Sequence, residues 1–184
     1  LWIERGKVSE DGLVSVAMGV PDFDPASLPF DAPAAAATYH LDTRAGPVEI
    51  GAVSIGNPHA VIRVRNVHEA PVDSVGPAVE NHPRFPRRVN VGFLEIVAPD
   101  HVRLRVFERG VGETRACGTG ACAAVAIGRR HGPLVEEVSV DVPGGRMIVR
   151  WPGPGEPIWL TGPAETAFAG QVDVTGAESP ESSR

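Results

Sequence analysis

The sequence predicts an α+β protein that consists mainly of β-strands, paired largely as antiparallel hairpins, with few helices. Its 184 residues include 21 glycines and 18 prolines, which interrupt helices and form turns. Short runs of alternating apolar and polar residues recur along the chain, as in strands. One helix is predicted at 121–130, where alanine and other small apolar residues are concentrated and where surrounding strands could bury it.

The composition excludes several classes of protein. Hydrophobic residues make up 42% of the chain and charged residues 22%, which is typical of a globular protein and excludes a disordered, fibrous or membrane protein. The formal charge of −6 and the 5% of aromatic residues offer neither a basic surface nor a stacking platform for nucleic acid. Two cysteines are too few for a secreted disulfide framework, and the first residues show no signal peptide, so we expect a cytoplasmic protein.

The first half of the chain is predicted to contain two strand pairs and a helix, with a connector between the strand pairs. The connector covers residues 21–33, where prolines exclude a regular element. The helix follows Pro71, and its residues Val75, Ala78 and Val79 share one face. The predicted elements are strands at 1–3, 13–17, 49–55 and 60–64 and a helix at 72–81.

The second half contains the clearest strand patterns. In the run 102–108, Val102, Leu104 and Val106 face one side of the sheet, and Arg103 and Arg105 face the other. The last ten residues are polar, and we expect them to be disordered. The predicted elements are strands at 89–98, 102–108, 138–142, 147–151, 158–161 and 166–174 and a helix at 121–130.

The segment most informative about chemistry is 108–122, ERGVGETRACGTGAC, in which a cysteine stands where a glycine-rich loop becomes a helix. The N–H groups and positive dipole of a helix start stabilise a thiolate, so Cys117 is a candidate acid/base or nucleophile, with simple burial as the alternative. The main-chain N–H groups of Gly118, Thr119 and Gly120 form a candidate site for a carboxylate. Cys122 is flanked by alanines within the helix, where a buried apolar role is favoured.

Other candidate positions have simpler alternative interpretations. Asn57 and His59 lie in an Asn-Pro turn and could be ordinary turn residues. Glu108 and Arg109 end a strand, where a solvated charge pair is the alternative to recognition of a carboxylate. Asn90 begins a strand and is by itself typical of a turn. The cysteine pair lacks the second Cys/His pair of a zinc site, and its placement around a helix start disfavours a disulfide.

Three stretches together resemble the diaminopimelate epimerases: SIGNPHAVI at 54–62, HPRFPRRVNVGF at 82–93 and HVRLRVFERGVGETRACGTGACAAVA at 101–126. The segment TGPAETAFAG at 161–170 resembles the family's C-terminal end. The resemblance implies an α+β fold of two pseudo-symmetric domains, each with a sheet wrapped around a central helix. It also implies a homodimeric isomerase of lysine and peptidoglycan precursor biosynthesis that needs neither cofactor nor metal.

The resemblance also implies roles for individual residues. The family interconverts L,L- and meso-diaminopimelate by proton transfer between one α-carbon and two cysteines on opposite faces of the substrate, and Cys117 matches one of them. By the same resemblance, His59 and Glu108 adjust thiol ionisation, and Phe168 stands where many members have a tyrosine at the dimer contact. The residues implied to bind the substrate are Asn57, Asn90, Glu108, Arg109, Gly118 and Thr119.

The family's other catalytic cysteine lies in a C-G-N-G motif that this sequence lacks, and Cys122 shares a helix with Cys117. Because the sequence also starts at Leu1 instead of methionine, we expect a C-terminal portion of the enzyme that is inactive alone. Residues 18–162 are expected to form the C-terminal domain, 1–17 and 163–174 strands of the N-terminal domain, and 175–184 the tail.

Two alternatives remain open at this stage. A related two-cysteine proline or hydroxyproline racemase would share the thiol chemistry, but its substrate has no second amino acid centre for Arg109, Asn57 and Asn90 to bind. A non-catalytic remnant or binding domain, self-associating through unpaired strands, would need none of these residues. The expected partner of the leading hypothesis is a small-molecule substrate, without nucleic acid or membrane.

Overall fold

The computed structural model describes residues 6–8, 12–166 and 168–171, and its strands form one sheet around a buried helix. The helices of this part of the chain are α1 (Val72–Glu80) and α2 (Gly118–Arg130), with short 3-10 turns at Pro25–Ser27 and Val67–Glu69. The strands are β1 (Gly6–Val8), β2 (Leu13–Ala17), β3 (Tyr39–Thr43), β4 (Gly46–Ser54), β5 (Pro58–Val64), β6 (Asn90–Ala98), β7 (His101–Glu108), β8 (Gly112–Thr114), β9 (Glu137–Val142), β10 (Gly145–Arg150) and β11 (Trp159–Pro163).

The sheet is largely antiparallel, and its strand order is β1-β2-β11-β10-β9-β7-β6-β5-β4-β3. Two pairings are parallel, β5 with β6 and β7 with β9. One edge of β7 is divided between two partners, because residues 101–103 pair with β9 and residues 106–108 pair with β8. Only residues 115–117 separate β8 from α2, so the start of α2 lies close to the end of β7.

Helix α2 fills the inside of the sheet because its side chains are small. Nine of its thirteen residues are buried, and four of these are alanines. Strands from both halves of the sheet contact it. The inward residues Val102, Leu104 and Val106 of β7 lie in the same core, whereas Arg103 and Arg105 form ion pairs on the other face, which confirms the predicted alternation.

Helix α1 covers the opposite face of the sheet and closes a second core. Its residues Val72, Val75 and Val79 pack there with Phe93 of β6. A Cβ atom at position 76 would lie 2.7 Å from the ring of Phe107, so glycine at this position allows α1 to approach β7 closely. The C-terminal end of α1 therefore lies beside the turn that follows β7.

Most of the predicted elements are confirmed, including both helices and the sheet around a central helix. The 21–33 connector contains only the 3-10 turn and an isolated bridge between Asp22 and Ser54. Strands β3 and β8 were not predicted. The strand expected at 166–174 is wrong for residues 166 and 168–171, which are in no regular element, because this segment has no strand partner there.

Some expectations fall on residues that are not described or stay predictions. Three predicted segments lie outside the described residues: the strand at 1–3, residues 172–174 and the tail at 175–184. The strand at 1–3 was expected to pair with 13–17, and the described partner of β2 on that side is β1. The division at residues 17/18 and 162/163 stays a prediction. The sheet is continuous through both positions, since β11 pairs with β2 on one side and β10 on the other. Within the described residues, neither helix is long and apolar enough to span a membrane.

Replacing Gly76 by alanine is expected to lower the free energy of unfolding by about 1 kcal/mol, because overpacking costs roughly 1–3 kcal/mol and the better helix propensity of alanine offsets part of it. The added methyl group would lie 2.7 Å from the Phe107 ring. Urea denaturation measures the change. The matched control is Ser74→Ala at an exposed α1 position, expected within about 0.5 kcal/mol of the parent. An unchanged midpoint for Gly76→Ala would contradict the close approach.

Candidate active site

The candidate site begins at the turn between β7 and β8. The main-chain N–H of Val111 donates to the carbonyl of Glu108 at 3.0 Å and closes this turn. Gly110 has a φ of +76°, a conformation that favours glycine. After β8 the chain returns to the same place, so that Cys117 and Glu108, nine positions apart, are in contact.

Cys117 immediately precedes α2, and its side chain is only 7% exposed. Its Sγ lies 3.3 Å from Oε2 of Glu108 and 3.5 Å from Oγ1 of Thr119. The other carboxylate oxygen of Glu108, Oε1, accepts a hydrogen bond of 2.6 Å from Oγ1 of Thr114. The thiol therefore donates to a carboxylate whose orientation is held from the opposite side.

These surroundings favour the protonated form of Cys117. Burial raises the pKa of the thiol, and the adjacent Glu108 carboxylate raises it further. The Thr119 hydroxyl and the Gly120 N–H act in the opposite direction because both favour the thiolate. The start of α2 was expected to favour the thiolate. That effect is present, but burial and the neighbouring carboxylate outweigh it.

Cys122 occupies a different environment. Its side chain is fully buried in the core around α2, and burial raises the pKa of its thiol further above the ordinary range, with a smaller contribution from Cys117. This placement agrees with the packing role expected from its alanine neighbours. Cys122 therefore lies inside α2, enclosed by the core.

Asn57 and His59, at the start of β5, form the second part of the site. His59 is 1% exposed, and its Nε2 lies 3.1 Å from Oδ1 of Asn57. Nδ2 of Asn57 donates to Oγ1 of Thr119 at 3.4 Å, which joins this turn to the cysteine. Burial lowers the pKa of His59 to about 3, and the charge of Arg109 acts in the same direction, so the imidazole is neutral near neutral pH.

Asn90 connects two of the candidate segments. Its buried amide donates from Nδ2 to the carbonyl of Pro58 at 3.2 Å and accepts at Oδ1 from the main-chain N–H of Arg109 at 2.9 Å. Arg109 is exposed, and its Nη1 donates to the carbonyl of Arg87 at 2.9 Å. A guanidinium has five N–H groups, so most of them remain for a ligand.

The structure thus brings together every candidate residue except Phe168. Gly118 and Thr119 form the first turn of α2, and no described residue accepts a hydrogen bond from their main-chain N–H groups. Phe168 follows β11, and its side chain is 87% exposed and makes none of these contacts. Among the described residues, no cluster of three or more His, Cys, Asp or Glu side chains could hold a metal ion.

Sequence reasoning missed two residues of this region, Thr114 and Glu80. Thr114 orients Glu108, and no pattern in the sequence indicates it. Glu80 accepts a hydrogen bond from the main-chain N–H of Gly110 at 2.7 Å. A signal was available for Glu80, because an acidic residue at the C-terminal end of a helix opposes the helix dipole and needs a compensating partner.

A family model and curated relatives both match this chain to the diaminopimelate epimerases. The family model for diaminopimelate epimerase matches residues 51–167, which include all the candidate residues except Phe168. The diaminopimelate epimerases of Alkalilimnicola ehrlichii and Halorhodospira halophila are 56% identical over 170 residues and 54% identical over 172 residues. These alignments cover 92% and 94% of this chain but 61% and 60% of the relatives. The chain therefore spans about three fifths of the length of these relatives.

A solved structure supports the fold. The crystal structure of a probable proline racemase from Agrobacterium radiobacter K84 matches with a TM-score of 0.60 at 18% sequence identity, covering 92% of this chain and 56% of the other. At this identity the likeness shows a shared fold alone.

Cys117 is expected to react with iodoacetamide faster than Cys122 near neutral pH, because Cys122 is fully buried and the pKa of its thiol is raised further. In Glu108→Gln the pH at which the alkylation rate of Cys117 begins to rise is expected to be lower than in the parent. The substitution removes the charge that raises the pKa of the thiol, whereas the retained amide oxygen still accepts from Thr114. Peptide mapping after partial alkylation across a pH series measures both effects.

The matched control for this experiment is Glu69→Gln, which removes an exposed carboxylate and is expected to leave the profile unchanged. Faster reaction of Cys122, or an unchanged profile in Glu108→Gln, would contradict the electrostatic account of the thiol.

His59 is expected to make stability depend on pH in the acidic range. Its folded-state pKa of about 3 lies below the ordinary 6.5, so the unfolded chain binds a proton that the folded chain does not, and stability is lost as pH falls through 6.5. The slope from one such group is about 1.4 kcal/mol per pH unit at most. Denaturation between pH 7 and about 4 is expected to show a smaller slope for His59→Gln. The control His68→Gln, at an exposed position, should keep the parent slope; equal slopes in both variants would refute the assignment.

Proposed function

Because this chain belongs to the diaminopimelate epimerase family, we propose that it supplies one half of the active site of an isomerase that inverts an α-carbon of diaminopimelate. The observation that carries the proposal is the Cys117 thiol, which lies at the start of α2 and 3.3 Å from the Glu108 carboxylate. The reaction interconverts the L,L and meso forms by acid/base catalysis at two cysteines. It requires no pyridoxal phosphate, other cofactor or metal and serves lysine and peptidoglycan precursor biosynthesis.

The environment of Cys117 suits both directions of proton transfer. The raised pKa of the thiol keeps a proton on Sγ, available for donation to a carbanion. In the reverse direction Sγ loses its proton before it acts as a base, and Oε2 of Glu108 is an acceptor within reach. Thr114 holds the other oxygen of this carboxylate, so the acceptor keeps its orientation during the cycle.

The substrate's reacting carboxylate is proposed to bind at the start of α2. The main-chain N–H groups of Gly118 and Thr119 are available there, at the positive end of the helix dipole. When the α-proton leaves, negative charge spreads into this carboxylate, and fixed donors stabilise it without reorganisation. The neutral His59 contributes no competing charge to this position and acts on Cys117 through Asn57 and Thr119.

The unreacted end of the substrate is proposed to bind near Arg109. A guanidinium binds a carboxylate through two parallel hydrogen bonds, and Arg109 is exposed at the end of β7. Asn57 and Asn90 lie between Arg109 and the cysteine in the hydrogen-bond network and belong to the same part of the site. An amino acid without a second carboxylate leaves Arg109 unpaired, which gives the site its specificity.

Inversion requires a second thiol on the opposite face of the α-carbon. The sequence contains two cysteines, and Cys122 is buried inside α2. We therefore expect the second thiol from a part of the family enzyme that these 184 residues do not span, and no epimerisation by this chain alone. A largely apolar hollow of about 360 Å³ lies beside Ala116, the residue before Cys117, and is a candidate contact surface for such a part. Its apolar lining includes Val14, Val16, Met147 and Leu160.

The complete enzyme is proposed to be a cytoplasmic homodimer. The exposed Phe168 is its candidate dimer contact and would contribute apolar surface without the hydroxyl group of the tyrosine that many members carry.

Substrate protection tests the proposal on this chain. Binding of meso-diaminopimelate is expected to slow the alkylation of Cys117 several-fold, whereas proline should have little effect because it cannot pair with Arg109. The rate at Cys122 is the internal control. In D2O the same chain should yield no inverted product by chiral chromatography. Equal protection by proline would favour a racemase, and complete inversion would overturn the half-site assignment.

A further inference from the structure

Glu80 is a buried carboxylate that the proposed reaction does not use. It is the last residue of α1, and it is only 6% exposed. A negative charge at the C-terminal end of a helix is unfavourable because the carbonyl groups there carry partial negative charge. Burial adds to the cost unless the carboxylate has hydrogen-bond partners. We therefore expect the hydrogen-bond partners of Glu80 to offset these two costs.

The partners of Glu80 belong to the segments on either side of the candidate substrate site. Oε1 accepts from the main-chain N–H of Gly110 at 2.7 Å and lies 3.7 Å from Nη1 of Arg88. Oε2 accepts from Nδ2 of Asn81 at 3.1 Å. One carboxylate thus joins the end of α1 to the turn after β7 and to the residues just before β6.

The hydrogen bond from Gly110 to Glu80 is one of three that connect Arg109 and its neighbour to the 80–90 segment. The main-chain N–H of Arg109 donates to Asn90 at 2.9 Å, its guanidinium donates to the carbonyl of Arg87 at 2.9 Å, and the next N–H donates to Glu80. All three acceptors come from the 80–90 segment. The turn is closed by its own hydrogen bond from Val111 to Glu108, and the three contacts connect it to the 80–90 segment.

Arg88 shows that the facing segment is also constrained. Its φ of +57° lies in the left-handed region, which side chains other than glycine adopt at a cost. The ion pair with Glu80 and the hydrogen bond from its N–H to the carbonyl of Phe85, at 2.8 Å, accompany this conformation. The carbonyl of Arg87, which accepts from Arg109, belongs to the peptide bond directly before this residue.

We propose that Glu80 is a positioning residue, which holds the Arg109 turn against the 87–90 segment and thereby presents the guanidinium to the distal carboxylate of the substrate. The second half of this statement rests on the proposed function, in which Arg109 binds that carboxylate. The first half concerns the chain without ligand and is tested independently of any activity.

The first experiment measures the unliganded chain by NMR. In Glu80→Ala the amide proton of Gly110 is expected to move upfield and to exchange with solvent about tenfold faster, because it loses a hydrogen bond to a charged acceptor. The Nε–H signal of Arg109 should shift as well. Glu80→Gln keeps an acceptor oxygen but loses the charge facing Arg88, so intermediate changes are expected, and this variant serves if the alanine variant does not fold. The matched control Glu69→Gln should leave both signals unchanged.

The second experiment compares two ligands in the same variants. L-lysine shares the α-amino acid centre of meso-diaminopimelate and an amino group at the far end of the chain, but it lacks the distal carboxylate. Glu80→Ala is expected to raise the Kd of meso-diaminopimelate about tenfold and to leave that of L-lysine unchanged. A purely structural loss would weaken both ligands alike.

The outcomes separate the two proposals. Unchanged Gly110 and Arg109 signals in Glu80→Ala would overturn the positioning role whatever the ligand results, and so would equal weakening of both ligands. If meso-diaminopimelate does not bind the parent chain while the NMR changes are observed, the proposed function fails and the structural role of Glu80 stands.

Discussion

Burial of an alanine-rich helix inside the sheet is the constraint on which the rest of this structure depends. Because α2 has small side chains, strands can approach it from both halves of the sheet, and its direction is then determined by the core. Its first turn consequently emerges where one edge of β7 passes from β9 to β8. Cys117, Gly118 and Thr119 are brought to Glu108 by this packing, without a dedicated long loop.

The electrostatics of the site follow from the same burial. In water a histidine titrates at about pH 6.5 and a cysteine at about pH 8.5, so both would carry partial charge near neutral pH. Here burial removes the charged form of His59, and burial together with Glu108 disfavours the thiolate of Cys117. The carboxylate of Glu108 lies between two donors, since Oε1 accepts from Oγ1 of Thr114 and Oε2 lies 3.3 Å from Sγ of Cys117. In the proposed reaction the proton on Sγ of Cys117 is the one that moves, and Oε2 of Glu108 is an acceptor within reach.

The features that depend on residues close together in the sequence could be predicted from the sequence. The alternation in β7 and the run of small residues in α2 are local, and so is the position of Cys117 before the helix. The alternation of the buried residues Tyr39 and Leu41 with exposed residues is a local signal for β3 as well. Strand β8 has three residues and exists through its pairing with β7, so no local pattern indicates it. The net direction of the pKa shift of Cys117 likewise depends on Glu108, nine residues away, and on burial by the whole sheet.

The pairing of β2 with β11 has a consequence for the order in which the protein can fold during synthesis. The hydroxyl groups of Ser15 and Thr161, 146 positions apart, lie 2.7 Å from each other across this pair. A ribosome adds roughly 5–20 residues per second, so β2 leaves it about 7–30 s before its partner exists. In the part of the chain that the structure describes, one hydrogen-bonding edge of β2 pairs with β1 and the other pairs with β11, so the second edge lacks this partner throughout the interval. Among the described strands β11 is the last to be synthesised, and its pairing with β2 on one side and β10 on the other joins the two ends of the described chain in one sheet.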